Sequence, residues 1–289
     1  MAVFQAGSRR GRLVVIGGNE DMADEGWRVL PRVVERAGGG AARLLVCAAA
    51  ASDPEPTLRA YERDFRKISV ADVHLSPLNS RAEAEQDELL EALDACTGVF
   101  LTGGDQLRIT SLVAGTRFGA RLVERFEHEG LLVAGSSAGA VAMSSTMISR
   151  GIGETVRRAA VELAPGLGLL RDITIDAHFD RGGRVHRLMA VLAQNPATLG
   201  VGIDEDTAVD VSPDGEMEVL GYGVVMVFDG RVTHTNAADV SHREALALTD
   251  VRMHVLPTGY RFDLKTREPI VPPPDARSPE APPPDASRD

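Results

Sequence analysis

Short apolar runs alternate with helix-like segments over the first two-thirds of this 289-residue chain. The runs lie at residues 13–16, 43–47, 70–75, 99–102 and 131–134, and all but the second have Gly or Ser directly beside them. Strands that are buried on both faces of a parallel sheet have this composition. The segments between them show helical spacing and lie at residues 25–37, 55–67, 82–95 and 106–129. The alternation predicts an α/β fold in which helices flank a mostly parallel sheet.

After residue 201 the pattern changes to short strand candidates that follow one another closely. They lie at residues 207–211, 216–220, 224–229 and 231–235. Asp-Gly dipeptides at 214–215 and 229–230 separate some of them, and such dipeptides favour hairpin turns because glycine tolerates a positive φ. We expect an antiparallel C-terminal extension at one edge of the parallel sheet.

The composition divides the chain into three parts. Residues 1–11 are expected to form an N-terminal lead, and residues 12–264 a single α/β domain. Eight of the residues from 269 to 289 are proline, with Asp, Glu and Ser between them. Such a sequence cannot form a hydrophobic core, so residues 265–289 are predicted to be a Pro-rich disordered tail.

Charge and apolar content exclude several classes of partner. The formal net charge of −11 argues against nucleic acid, because phosphate binding needs a basic surface. The apolar runs are too short for a membrane-spanning helix, and the first is too short for a signal peptide. We therefore expect a cytoplasmic protein with no nucleic-acid or membrane partner. Cys47 and Cys96 are predicted to be buried hydrophobic residues rather than a disulfide or a metal site.

A G-x-S-x-G sequence at residues 135–139 directly follows the apolar run 131–134. At a sharp turn from a strand into a helix, this pattern exposes the hydroxyl group of its central Ser, here Ser137. The flanking glycines are needed because a Cβ would collide with the neighbouring backbone. Ser137 is therefore a candidate nucleophile, and the N–H of Ala138 is a candidate donor to an oxyanion. Alternatively, Ser137 caps the helix in an ordinary tight turn.

A general base for Ser137 is expected among the seven histidines. His178 ends a strand-like segment and precedes a glycine-containing loop that leads into a helix. Because sites in open α/β sheets lie beyond the carboxyl ends of the strands, His178 is expected at the same edge of the sheet as Ser137. His186 is the nearest rival, but it lies among arginines on the predicted helix. A hydrogen-bonded structural role is the alternative for His178.

Three consecutive carboxylates, Asp204, Glu205 and Asp206, follow the apolar residues 201–203. Adjacent carboxylates repel one another unless some of them face solvent or a cation. Strand alternation would point Glu205 away from its two neighbours. One of the three can accept the Nδ1–H of His178 and fix its tautomer. An exposed acidic turn is the alternative.

The pair Gly103-Gly104 stands at the end of a predicted strand, just before Asp105 and Gln106. Its backbone N–H groups, that of Gly104 included, are candidates for the second oxyanion donor beside Ala138. Gln106 is a candidate for binding a substrate amide or carboxylate. A common glycine turn is the alternative.

The pair Gly17-Gly18 has the same form at the end of the first predicted strand. We expect it to allow a close approach of the backbone near the site. Glu20 and Asp21 follow, but no third residue has ligand spacing with them, so no metal is predicted.

Arg181, Arg184 and Arg187 follow His178 at three-residue spacing, which places them near one face of a helix. Guanidinium groups bind carboxylates through paired hydrogen bonds. The cluster indicates a substrate with carboxylate side chains or a free C-terminus. A surface face of salt bridges is the alternative.

Five motifs in this order resemble those of cyanophycinases, which belong with the dipeptidase E group of serine peptidases. The resemblance covers roughly residues 12–264. The motifs are Gly103-Gly104-Asp105-Gln106, Gly135-Ser136-Ser137-Ala138-Gly139-Ala140, Asp176-x-His178-Phe179 with Arg184 and Arg187, Gly202-Ile203-Asp204-Glu205-Asp206-Thr207, and Val251-Arg252-Met253-His254-Val255-Leu256-Pro257-x-Gly259-Tyr260.

The resemblance implies a class I glutamine amidotransferase-like fold with Ser in place of Cys at the turn. It implies Ser137 as nucleophile, His178 as base and Glu205 as the orienting acid. The implied substrate-binding positions are Gln106, Asp176, Arg184 and Arg187. The implied reaction is exopeptidase cleavage of cyanophycin, a poly-aspartate with arginine on each side chain, to β-Asp-Arg dipeptides. The resemblance implies no cofactor or metal and suggests a homodimer.

The chain departs from the family pattern at two positions. Cyanophycinases usually have Gln where this chain has Ala177, and Arg where it has Gly182, although Arg181 is adjacent. Neither departure changes the implied nucleophile, base or acid. Two other functions stay open: a peptidase of the same family that prefers free α-aspartyl dipeptides, and a catalytically inactive binding protein that retains the fold. The chain order Ser, His, Glu disfavours an ordinary α/β-hydrolase, in which the acid precedes the His.

Overall fold

The computed structural model describes residues 9–20, 29–151, 155–231 and 234–273. Most of the predicted N-terminal lead, the start of the predicted helix 25–37 and most of the predicted tail lie outside the described residues.

The strands are, in chain order, β1 (Leu13–Ile16), β2 (Arg43–Cys47), β3 (Asp72–Ser76), β4 (Gly98–Leu101), β5 (Leu132–Ser136), β6 (Thr146–Gly151), β7 (Val161–Pro165), β8 (Ile173–Asp176), β9 (Leu199–Ile203), β10 (Thr207–Val211), β11 (Glu216–Gly221), β12 (Val224–Asp229), β13 (His234–Thr235), β14 (Leu248–Thr249), β15 (Arg252–Pro257), β16 (Arg261–Asp263) and β17 (Glu268–Ile270). The α-helices are α1 (Val29–Arg36), α2 (Pro54–Lys67), α3 (Asp87–Ala95), α4 (Gln106–Val113), α5 (Arg117–His128), α6 (Ala138–Ala142) and α7 (Arg184–Gln194). Single 3₁₀ turns lie at Gly39–Ala41, Glu83–Glu85 and Arg158–Ala160.

The main sheet has nine strands in the order β17-β16-β11-β10-β1-β5-β4-β2-β3. Strands β1, β5, β4, β2 and β3 run parallel to one another. Strands β10, β11, β16 and β17 extend the sheet beyond β1 as antiparallel neighbours. The predicted α/β class and its antiparallel C-terminal extension are therefore confirmed.

A second sheet of four strands, β15-β12-β9-β8, packs beside the first. In it β8 and β9 are parallel, and β12 lies antiparallel between β9 and β15. The expectation that residues 224–229 join the edge of the main sheet is wrong, because they form β12 of the second sheet. An alternating pattern marks a strand with one buried face, but it does not say which sheet the strand joins.

The core forms on both faces of the main sheet because side chains alternate along each strand. On β2, Leu44 and Val46 pack with Phe65 of α2, whereas Leu45 packs on the opposite face with Phe118 of α5. A strand with both faces covered must be apolar throughout, which explains the continuous apolar runs. Cys47 and Cys96 are buried and free, as predicted, and burial raises the pKa of both thiols.

The segment predicted as one helix over residues 106–129 is two helices, α4 and α5. The chain turns between them at Gly115, which has φ of 72°. Thr116 then caps α5 by accepting a hydrogen bond from the N–H of Gly119 at 3.1 Å. Glycine at a helix end and Thr at a helix start are common, and here they interrupt a continuous apolar periodicity.

Residues that make specific contacts lie outside both predicted domain boundaries. Arg10 precedes the predicted start at residue 12, yet its guanidinium lies 4.8 Å from the centre of the Phe126 ring and donates to the carbonyl of Leu169 at 2.6 Å. Strand β17 follows the predicted end at residue 264 and pairs with β16. The three-part division of the chain stays a prediction. In the described ranges, no helix has the length and apolarity needed to cross a membrane.

Candidate active site

Ser137 joins β5 to α6 in a strained backbone conformation, with φ of 50° and ψ of −109°. The flanking glycines make this turn possible. A Cβ on Gly135 would lie 2.7 Å from the carbonyl carbon of Gly139, and one on Gly139 would lie 2.8 Å from that of Leu101. Both distances are too short for any other residue. The turn therefore has the geometry that the G-x-S-x-G sequence predicts.

His178 follows β8, and its side chain reaches Ser137. The distance from Ser137 Oγ to His178 Nε2 is 2.7 Å, a hydrogen-bond distance. His178 comes from the second sheet rather than from the parallel sheet that carries Ser137. The rival His186 is exposed on α7. The structure thus brings together the two residues that the sequence analysis paired, although from two different sheets.

Glu205 lies in the short connection between β9 and β10. Its Oε1 is 2.7 Å from His178 Nδ1, and its backbone N–H donates to Asp180 Oδ1 at 3.0 Å. If Nδ1 carries the proton and donates to Glu205, Nε2 is free to accept the proton of Ser137. Ser137, His178 and Glu205 therefore form a continuous hydrogen-bonded chain.

The second carboxylate oxygen of Glu205 is also bound. Arg181 donates to Oε2, and Asn19 Nδ2 donates to the same oxygen at 3.3 Å. The hydrogen bond from Arg181 is the largest influence on the pKa of Glu205, which is lowered to about 2; the bond to His178 acts in the same direction, and partial burial opposes both. Glu205 is therefore a carboxylate at neutral pH.

Arg181 does not join the other two arginines, contrary to the helical spacing. Helix α7 begins only at Arg184, so the three-residue period does not extend back to Arg181. Arg181 instead holds Glu205, and Gly182 beside it has open space around the position of a Cβ.

The pair Gly17-Gly18 lies where β1 meets the chain segments of His178 and Glu205. A Cβ on Gly17 would lie 2.7 Å from the carbonyl oxygen of Ile203, and one on Gly18 would lie 2.6 Å from His178 Nε2. The predicted close approach of this pair to the site is confirmed, since a side chain at either position would displace the site.

A cavity of about 280 Å³ opens beside Ser137 and His178. Its lining includes Gly104, Gln106, Ala138, Asp176, Arg184 and Arg187. The cavity thus collects the residues expected to stabilise an oxyanion and to bind substrate.

Asp176 is completely buried beside this cavity. It accepts hydrogen bonds from Arg184 Nη1 at 3.2 Å and from Arg187 Nε at 2.6 Å, and Arg187 Nη2 donates to it as well. Two guanidinium groups and one carboxylate leave one excess positive charge. The arrangement suits a ligand carboxylate, with Asp176 orienting the arginines rather than contacting the ligand alone.

Gln106 presents its amide to this cavity with a defined polarity. Its Nε2 donates to the carbonyl oxygens of Ile148 and Ser149 on β6, at 2.8 and 3.0 Å. A ligand can therefore meet only the Oε1 carbonyl oxygen, so Gln106 can accept a hydrogen bond and cannot donate one to a carboxylate.

The backbone at Gly104 and Ala138 borders the same cavity as Ser137. Gly104 has φ of 140°, and a Cβ there would lie 2.6 Å from the carbonyl carbon of Ala50. Ala138 is the first residue of α6, so its N–H has no intrahelical acceptor. The N–H groups of Gly104 and Ala138 beside Ser137 therefore stay candidates for oxyanion donors.

A second cavity also borders Ser137 and His178. Asn19, Glu20, Tyr61, Asp64 and Ser136 contribute to its lining. The carboxylate of Glu20 accepts hydrogen bonds from the hydroxyls of Tyr61 and Ser136. The sequence pattern suggested Glu20 only as a metal ligand together with Asp21, and Asp21 lies outside the described residues. Neither hydroxyl contact of Glu20 was predicted.

Comparison with known proteins agrees with the fold and with the family that the motifs resemble. The sequence profile of Peptidase family S51 matches residues 13–219, which include Ser137, His178 and Glu205. The cyanophycinase of Synechococcus elongatus is 38% identical over 266 residues, covering 91% of this chain and 82% of that protein. The cyanophycinase of Geminocystis herdmanii (strain PCC 6308) is 35% identical over 263 residues, covering 90% and 96%.

A solved structure supports the shared fold. The crystal structure of a peptidase from an acI-B1 Actinobacterium superposes with a TM-score of 0.60 at 19% sequence identity, and covers 75% of this chain and 90% of that one. Because the sequence profile matches residues 13–219, well over half of the chain, this chain belongs to peptidase family S51.

Proposed function

We propose that this protein is a cyanophycinase, a serine exopeptidase that hydrolyses cyanophycin to β-Asp-Arg dipeptides. The observation that carries the proposal is the hydrogen-bonded chain from Ser137 through His178 to Glu205, with both steps at 2.7 Å. The chain that contains these three residues is 35–38% identical to cyanophycinases over about 90% of its own length. Those relatives do not favour an aspartyl dipeptidase or an inactive binding protein.

The first half of the proposed reaction forms an acyl-enzyme. Ser137 Oγ attacks the carbonyl carbon of the scissile peptide bond, and its proton passes to His178 Nε2. Glu205 stabilises the resulting imidazolium through Nδ1–H, and the N–H groups of Gly104 and Ala138 stabilise the oxyanion. When the C–N bond breaks, His178 returns the proton to the leaving amine.

The second half of the reaction releases the acyl group. A water molecule gives its proton to His178 and attacks the ester carbonyl carbon, and the C–O bond to Ser137 breaks as Oγ regains a proton. One peptide bond and one water give one carboxylate and one amine. The groups that act are all on this chain, so we propose that the reaction needs no metal or cofactor, and that EDTA leaves the activity intact.

Substrate selection in this proposal rests on the cavity that contains Arg184 and Arg187. An enzyme that acts at a chain end must recognise a group that only the end possesses, or a side-chain pattern beside it. The excess positive charge over Asp176 suits a substrate carboxylate, and Gln106 Oε1 can accept an N–H from an amide or a guanidinium.

The test is incubation of the purified protein with insoluble cyanophycin, followed by mass analysis of the soluble products. We expect β-Asp-Arg, and no release from a Ser137→Ala control. Clearance of small α-aspartyl dipeptides alone would point to the dipeptidase, and no product from either substrate would point to the inactive protein. A cytoplasmic location, a homodimer and the absence of nucleic-acid or membrane partners belong to the same proposal. Cell fractionation and light scattering on the purified protein test the first two.

A further inference from the structure

Glu20 links the turn of the proposed nucleophile to helix α2. Ser136 Oγ donates to Glu20 Oε2 at 2.6 Å, and the Tyr61 hydroxyl donates to Glu20 Oε1 at 2.6 Å. Hydrogen bonds from a hydroxyl to an ionised carboxylate typically measure about 2.5–2.7 Å. Burial, and next the nearby Glu20 charge, raise the pKa of Tyr61 well above its usual value, so its hydroxyl stays a donor. Neither hydroxyl has a part in the proposed reaction.

The register of the main sheet explains why Glu20 reaches this position. Ile16 at the end of β1 pairs with Ser136 of β5 on one side and with Ala208 of β10 on the other. The residues that follow Ile16 therefore emerge between the Ser137 turn and the connection that carries Glu205. Asn19 contacts Glu205, and Glu20 contacts Ser136.

The turn needs such a contact because its conformation is strained. Ser137 has φ of 50°, and a residue with a Cβ keeps that conformation only where its surroundings fix it. Close packing of Gly139 against Leu101 fixes the helix side of the turn. On the strand side, Ser136 is 3% exposed and its hydroxyl is anchored by Glu20.

We propose that Glu20 is a positioning residue, which fixes Ser136 and thereby holds Ser137 Oγ in reach of His178. The inference rests on the proposed role of Ser137 as nucleophile. Glu20 lies outside the lining of the cavity that contains Arg184 and Arg187. Its loss should therefore slow the attack by Ser137 and leave binding of the substrate carboxylate unchanged.

The experiment measures two readouts on Glu20→Gln, which keeps the shape of the side chain and removes its charge. The first is kcat and KM with cyanophycin. The second is the rate at which a fluorophosphonate labels Ser137; there Oγ bonds to phosphorus, fluoride leaves, and the Ser137 proton passes to His178. We expect kcat and the labelling rate to fall together by roughly ten- to a hundredfold, with KM within about twofold. Glu55→Gln, on the exposed start of α2, is the matched control and should change neither readout.

A double-mutant cycle tests whether Glu20 acts through Ser136. Ser136→Ala removes the same hydrogen bond from the other side, so it should give a similar loss, and the double variant should be no slower than Glu20→Gln alone. It also serves as a second variant if Glu20→Gln fails to fold. Losses that multiply in the double variant would overturn the proposal. So would a Glu20→Gln protein with a lowered unfolding midpoint but normal labelling.

Labelling also separates this inference from the proposed function. If the wild-type protein is labelled at Ser137 but leaves cyanophycin intact, the proposed function is contradicted. The labelling rate of Glu20→Gln then still decides whether Glu20 positions Ser137. A folded wild-type protein that no fluorophosphonate labels would overturn the positioning role together with the nucleophile assignment.

Discussion

Ser137 and His178 meet at 2.7 Å, and each of them has φ of 50°. Two adjacent carbonyls at the end of β1 hold this pair: the N–H of Ser137 donates to Ile16 at 3.0 Å, and that of His178 donates to Gly17 at 2.8 Å. Positive φ in residues other than glycine costs on the order of 1–3 kcal/mol and persists where the surroundings impose it. A single strand end therefore sets the distance between the proposed nucleophile and base.

The two neighbouring serines should differ sharply in their effect on turnover. We expect Ser137→Ala to lower kcat by roughly 10⁶-fold, since members of such a triad act as a unit. Ser136→Ala should cost far less, because the Ser136 hydroxyl bonds to Glu20 and does not reach His178. Steady-state kinetics on both variants decide the point. Comparable losses would contradict the assignment of Ser137.

Gly18 and Gly38 offer a matched pair for testing the close approach at the site. Both have positive φ, 106° and 117°, so alanine should cost each about 1–2 kcal/mol of stability. A Cβ on Gly18 would lie 2.6 Å from His178 Nε2, whereas the nearest atom to one on Gly38 is 3.8 Å away. We expect Gly18→Ala to lose most of its kcat and Gly38→Ala to keep it. Equal activities in the two variants, compared at equal folded fraction, would show that His178 tolerates displacement.

Much of the secondary structure could be predicted, because apolar runs and glycine turns are local features. The bounds of β10 and β12 match the predicted strands, and the turn at Ser137 follows from its glycines. The second sheet could not be predicted, since the pairing of β8 with β9 depends on packing and not on local pattern.

The contacts around the proposed triad were harder to predict, because they join residues that are distant in sequence. Tyr61 has the spacing of a core residue on α2, and nothing local indicates that its hydroxyl meets Glu20, 41 positions away. Arg181 has the same three-residue spacing as Arg184 and Arg187. It does not share their helix face because α7 begins only at Arg184. Asp176 and Gln106 were predicted as substrate contacts, but their hydrogen bonds within the chain restrict what each can offer.

The ion pair of Arg181 with Glu205 should make stability depend on pH in the acid range. The pKa of Glu205 is lowered from 4.5 to about 2 in the folded chain, chiefly by the Arg181 hydrogen bond. This stabilises the fold above pH 4.5, and the contribution is lost as the pH falls toward 2. Arg181→Gln should lower the free energy of unfolding at pH 7, and the difference from wild type should shrink steadily below pH 4.5.

Urea unfolding at pH 7, 4.5 and 3.5 measures this difference. Because Arg181 is largely exposed, solvent screening keeps the effect modest. Arg59→Gln, which breaks an exposed pair with Glu55 on α2, is the control for losing a surface arginine. A difference that stays the same at all three pH values would mean that Arg181 does not set the ionisation of Glu205.

Gly182 is a site for testing substrate preference, since cyanophycinases usually have Arg there. No atom lies within 4 Å of the position of a Cβ on Gly182, so Gly182→Arg should fold normally. An added guanidinium two residues before Arg184 should strengthen the attraction of substrate carboxylates and lower KM for cyanophycin, with kcat little changed. Gly182→Gln controls for side-chain length. An equal fall in KM with Gln would rule out the added charge as the cause.

Glu205 should contribute to turnover by orienting His178 and stabilising its charged form. His178 becomes an imidazolium when it accepts the Ser137 proton, and a carboxylate at Nδ1 stabilises that charge. The pKa of Glu205 is about 2, so Glu205 is a carboxylate at neutral pH. We expect Glu205→Gln to lower kcat by roughly 10⁴-fold, because the imidazolium loses its carboxylate partner and the tautomer is no longer fixed.

The division of the loss between kcat and KM distinguishes this role from a purely structural one. Without the carboxylate at 2.7 Å from Nδ1, the imidazolium that forms during the attack loses its partner, so the loss in Glu205→Gln should fall on kcat and leave KM little changed. His178→Ala should cost more, roughly 10⁶-fold, since the base transfers the proton and the acid only orients it. The measurement is kcat and KM at pH 7 for wild type, Glu205→Gln and His178→Ala. If Glu205→Gln turns over as fast as wild type, Glu205 belongs only to an acidic turn, and the orienting carboxylate must be sought at Asp204, Asp206 or Asp176.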